Sequence, residues 1–186
     1  MTDTLHERGK ALEDMFFAER DRKLINALRD AAAKEQAAVD IGSITGVSDT
    51  SVLQTIAGLG VTSETLAAFS LVPLLHVAWS DKVLDSSERD AILVEAVAGG
   101  VFRGSAAYSL LEGWLTRAPE PKLFDTWKAY HQALLPKLSE SDRAKLKADL
   151  IEKARRIARA SGGLFGLGSV SADEREALRK LEELLA

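Results

Sequence analysis

The 186-residue chain contains no cysteine, which excludes disulfides and thiolate metal sites and fits a reducing compartment. Alternating β-branched patterns are also missing, so no segment reads as a strand. Basic residues do not predominate: the formal net charge is -4, and no global positive field invites nucleic acid. The longest apolar run, residues 65–79, contains Ser70, Pro73 and His76 and is too short to cross a bilayer. The opening MTDTLHERGKALEDM lacks the apolar core of a secretion signal. Together these absences predict a cytoplasmic protein without an integral membrane segment.

Catalytic patterns are absent as well. The histidines, His6, His76 and His131, are scattered, and no two stand at metal-ligand spacing. His76, on an apolar helix, reads as a hydrogen-bonded core residue. No serine lies in a G-x-S-x-G context, and residues 162–168 lack the G-K-[ST] ending of a phosphate loop. These residues assemble no triad or dyad, so an enzyme is not expected.

What is present is alanine, leucine and helical periodicity. With 46% hydrophobic residues the chain can bury one sizeable core. The expected fold is all-α: a single bundle of about seven or eight helices, one helix–turn–helix echoed within it, and a long N-terminal helix. Residues 5–39 form that long helix, with Leu12, Met15, Phe16, Leu24, Ile25, Leu28, Ala31 and Ala32 near one face. The block Glu19-Arg20-Asp21-Arg22-Lys23 interrupts the stripe. It reads as a solvated face, the alternative being an arm that pairs with another chain. Residues 40–49 read as a Gly/Ser/Thr connector, which divides the chain into a helix over 1–41 and a helical domain over 42–186.

Asp49 caps a short helix ending near Ile56. Thr62 or Ser63 then caps a central helix running to Trp79, kinked at Pro73. Helices over 105–117 and 123–135 are separated by Pro119 and Pro121. Ser139 or Ser141 caps a long helix ending near Ala160. Lys145, Lys147, Lys153, Arg155, Arg156 and Arg159 make that helix locally basic. Asp149 and Glu152 interleave, and no aromatic residue is available to stack bases, so a solvated face is expected rather than a nucleic-acid surface. The last helix covers 171–185.

The chain is organised around residues 74–93, LLHVAWSDKVLDSSERDAIL. An apolar helix arrives, Ser80, Asp81 and Lys82 break it, and Asp85 opens a second helix with Glu88 three residues on. That is a D-x-x-E capping box, with both carboxylates at the positive end of the helix dipole. An echo follows near the C-terminus. Leu84-Asp85-Ser86-Ser87-Glu88-Arg89-Asp90-Ala91-Ile92 aligns with Val170-Ser171-Ala172-Asp173-Glu174-Arg175-Glu176-Ala177-Leu178. The match is either a pseudo-repeat or two independent capping boxes.

The run from Asp81 to Glu88, after the helix ending His76-Val77-Ala78-Trp79, resembles the signature of TerB-like domains, the tellurite-resistance family. Asp81, Leu84 and Glu88 match, and Lys82 stands where the family has glycine. The resemblance covers roughly residues 62–186. It implies an all-helical bundle with a pseudo-repeat, a bacterial origin, no catalytic activity and an acidic patch suspected of holding a divalent metal.

Two candidate sites follow. Asp81, Asp85 and Glu88 could offer three oxygens to a hard cation, although capping already accounts for Asp85 and Glu88, and no other cofactor is expected. Leu164, Phe165 and Leu167, among glycines in residues 161–168, could insert into a protein partner or touch a membrane surface, or could fold back to plug the bundle. The expected function is a non-catalytic interaction or scaffold domain in a bacterial stress response. The alternative is a metal-responsive stress protein that uses the acidic turn.

Overall fold

The computed structural model describes residues 3–160 and 170–185, with side chains from residue 15 onward. Among the described residues all regular structure is helical. In chain order the α-helices are α1 (Asp3–Thr45), α2 (Thr50–Gly58), α3 (Leu66–Phe69), α4 (Val72–Ala78), α5 (Ser86–Ala98), α6 (Ala106–Thr116), α7 (Pro121–Leu134), α8 (Glu140–Ala160) and α9 (Ala172–Leu184).

The hub is α4. Only seven residues long, it buries Val72, Pro73, Leu74, Leu75, Val77 and Ala78, and it packs against α5, α7, α8 and α9. A helix this short has no stability of its own; it persists because each buried aliphatic side chain contributes roughly 1.5–3 kcal/mol by leaving water. The long α8 lies across α4, α5 and α9. It does so through Ala154, Ile157 and Ala158, all fully buried, whose alanines let the helices approach closely.

The continuous, kinked central helix expected over residues 62–79 does not form. The chain makes α3, breaks at Ser70 and Leu71, and starts again as α4. Pro73 is the cause. Inside a helix its ring would press on the Phe69 carbonyl and it could donate nothing. In the first turn of α4 the missing N–H costs nothing, because such groups have no partner within the helix. The Ser70 hydroxyl donates to the Ala67 carbonyl at 2.7 Å and helps finish α3. With this division the described residues form nine α-helices, the long N-terminal one included, in line with the expected bundle of about seven or eight plus that helix.

The N-terminal helix likewise runs past its expected end at residue 41, through what reads as a connector, to Thr45. Gly42 stays helical at a close crossing: a Cβ there would sit 2.9 Å from a Leu53 methyl of α2. The helix stops at Gly46, whose φ of 72° is open to glycine. Beyond it Asp49 caps α2, as expected, accepting from the Val52 N–H at 3.1 Å.

Only the last turns of α1 dock on the body, burying Ala37, Ala38 and Ile41. From Met15 to Leu28 its apolar side chains face solvent. A column of rings joins α4 to α7. His76 stacks on Phe124 at 3.7 Å, Phe124 on Trp127 at 5.8 Å, and Trp127 on His131 at 4.9 Å. His76 and His131, far apart in the sequence, therefore belong to one column. Burial lowers the pKa of both, with Lys128 and Lys180 adding to the effect at His76.

Candidate functional site

The turn between α4 and α5 is built from backbone donors and acidic acceptors. Trp79 Nε1–H donates to the Trp114 carbonyl at 3.0 Å and ties the end of α4 to α6. Asp81 accepts from the Val83 N–H at 2.9 Å, an Asx-type turn. Between them Lys82 has φ 70°, the one non-glycine residue in the left-handed region among those described. Lysine there is strained by about 1–2 kcal/mol through its Cβ. Lys82→Gly should therefore raise stability by about 0.5–1 kcal/mol, after glycine's greater freedom in the unfolded chain is set against the relief. Urea denaturation would measure it, and a loss of stability would show that the strain is compensated by contacts of the lysine side chain.

Asp85 and Glu88 form the expected capping box. Asp85 accepts from the Glu88 N–H at 2.8 Å, and Glu88 Oε2 accepts from the Asp85 N–H at 3.0 Å. The echo is built identically: Ser171 Oγ accepts from the Glu174 N–H at 3.1 Å, and Glu174 Oε2 accepts from the Ser171 N–H at 2.6 Å. Asp81, Asp85 and Glu88 are thus each engaged by a backbone donor. Among the described residues no group of three or more acidic or histidine side chains is arranged to hold a metal ion.

The sequence does not announce where the two capping glutamates go. Glu88 is 3% exposed and Glu174 1%, and their carboxyls hydrogen-bond to each other. Burial, opposed by the Asp85 backbone hydrogen bond and reinforced by the neighbouring Glu174 and Asp85, pushes the Glu88 pKa up to about 8. Glu174 Oε1 is buried and has no hydrogen-bond partner. The capping spacing predicts each glutamate's local bond; the meeting of the two is a product of the tertiary fold.

A third buried acid is Glu95 on α5. Arg156 reaches it at 2.9 Å and Lys153 at 3.9 Å, both from α8. Two of the cations expected to form a solvated face therefore anchor α8 to α5, and Arg155 ties α8 to Glu182 of α9 at 2.6 Å. The usable signal was Glu95 itself, an acid beside Ile92 and Ala96 on the apolar face of its helix. A cavity of about 490 Å³ adjoins the turn, bordered by His76, Trp79, Lys82, Phe124, Lys128 and Lys180. Its Lys128 and Lys180 already pair with Asp125 and Glu176.

Leu164, Phe165 and Leu167 lie outside the described residues. Comparison of the chain with family models, with curated proteins and with solved structures finds no match.

Proposed function

We propose that this chain is a non-catalytic helical interaction domain whose contact element is the outer part of α1, paired with the same helix of a second copy. The observation that carries this is the undocked apolar surface of that helix: Phe16 is 63% exposed, Leu24 59% and Leu28 62%. Phe17, Leu24 and Ala31 recur every seven residues, and Leu28 follows Leu24 by four, the spacing of a coiled-coil seam. Monomeric proteins rarely leave such a stripe in water. The neighbouring charges Glu19, Arg20, Asp21, Arg22 and Lys23 are of both signs, which suits a helix meeting its own copy better than a partner of one charge.

The resemblance to TerB-like domains supports a bacterial stress-response setting. The backbone at Lys82 supports the resemblance, since that position adopts the conformation for which the family's glycine is suited. The metal-responsive reading has less support, because Asp81, Asp85 and Glu88 are already occupied by backbone N–H groups.

Sedimentation velocity tests the proposal. The wild type should sediment as a dimer and the double variant Leu24→Glu, Leu28→Glu as a monomer. Tryptophan emission should not change, because Trp79, Trp114 and Trp127 all lie in the body. A wild type that is monomeric at high micromolar concentration would overturn the reading.

A further inference from the structure

We propose that the cavity beside the α4–α5 turn is a binding site for a small aromatic carboxylate, whose rings are enclosed by apolar walls and whose carboxylate is held by Lys82, Lys128 and Lys180. At about 490 Å³ the cavity falls within the roughly 300–1,000 Å³ usual for small-molecule sites, which often lie between the helices of a bundle. It lies between α4, the start of α7 and α9. No residue of α1 borders it, so the site is separate from the face proposed for dimerisation. Val72, Leu75 and Leu123, all buried, form its inner lining. Trp79, Pro119, Pro121 and the stacked rings of His76 and Phe124 add flat walls, the kind of surface on which an aromatic body packs well.

The polar groups that border the cavity favour an anion. Lysines reach it from three separate elements: Lys82 from the turn, Lys128 from α7 and Lys180 from α9. Lys82 makes no ion pair among the described residues. Lys128 and Lys180 pair with Asp125 and Glu176, but exposed pairs of this kind are weak, and Glu176 is held more closely by Arg179, at 2.7 Å. Against the three lysines the lining sets two acids, Glu120 and Asp125. One net positive charge remains, which suits a monoanion. The imidazole of His76 makes no hydrogen bond among the described residues, and Ser80 Oγ, in the same lining, is buried without a partner. Trp79 offers only its ring, since its Nε1–H is given to Trp114. The backbone of Lys82 is an independent observation. Glycine would hold its φ of 70° with less strain, and strained residues cluster where a ligand is held. Here the strained position carries an ammonium group to the cavity.

Isothermal titration calorimetry of the full chain with benzoate, indole-3-acetate and 2-naphthoate tests the site. At least one should bind, at a single site. For 2-naphthoate the uncharged control is 2-naphthylmethanol, which keeps the rings without the carboxylate. It should bind about tenfold more weakly, the scale of one hydrogen bond to a charged group. Lys82→Gly should weaken carboxylate binding by about tenfold on the same grounds, and it should fold at least as well as the wild type, because it relieves the turn. Lys180→Met should weaken binding as well, and inorganic phosphate should not displace the carboxylate. Proton–carbon NMR of the histidine rings should locate the ligand, with the His76 signals shifting more than those of His131. Absence of binding by all three carboxylates at millimolar concentration would overturn the proposal. So would equal binding of the alcohol, displacement by phosphate, unchanged affinity in both lysine variants, or binding that leaves the His76 signals in place.

Discussion

Trp127→Ala is expected to lower the stability of the protein by about 3–5 kcal/mol, the range for removing a buried aromatic from a packed core. Trp127 is nearly inaccessible to solvent and sits between Phe124 and His131 in the column that fastens α7 to α4. Its loss leaves a void that α7 cannot close, because the same helix is held on its other side by α2. It also strips His131 of its stacking partner while leaving the imidazole buried. The loss is a large share of the roughly 5–15 kcal/mol available to an ordinary domain. Guanidinium denaturation would read it directly. A change below about 1 kcal/mol would mean that the ring column is incidental to the α4–α7 contact. Trp127→Phe should recover most of the loss, because volume-preserving apolar exchanges are tolerated best.

The second large effect is expected at Phe69. Phe69→Ala should also cost about 3–5 kcal/mol, although Phe69 lies in a helix of only four residues. The ring is wholly buried and meets Tyr130 edge to face at 5.8 Å. So short a helix has almost no intrinsic stability and is held against α6 by packing. Removing the ring should therefore cost the core contact and the local fold of residues 66–69 together. Hydrogen exchange at the α3 amides would separate the two losses, and protection there as strong as in wild type would show that the segment is held by something other than Phe69.

Features decided within one or two helical turns were legible in the sequence. Asp85 with Glu88, and Ser171 with Glu174, are recognisable at three-residue spacing because a capping bond is local. Helical periodicity likewise exposes the α7 and α8 faces. Pro73 shows where the least legible break falls: proline disrupts a helix interior, but a kink and a restart answer the same local problem, and only the surrounding α5, α7, α8 and α9 select the restart. The burial of Glu95 was half legible: its place beside Ile92 and Ala96 puts it on the apolar face, but its countercharges, Lys153 and Arg156, come from a helix far along the chain and cannot be read locally. The meeting of Glu88 with Glu174 belongs to the same class, since neither capping box contains anything that points to the other.

The position of α4 also sets an order of assembly. Of the helices packed on it, α5 follows directly, while α7, α8 and α9 come in the second half of the chain. A ribosome that has released only the first half of the sequence has produced Val72, Leu74, Leu75 and Val77 with at most α5 among the helices that cover them. Seven residues cannot hold a helix unaided, so the growing chain carries this apolar segment uncovered until α8 has emerged. Folding of the body is therefore a late event in synthesis, and the hub of the finished protein is, for most of that time, the segment best suited to a chaperone.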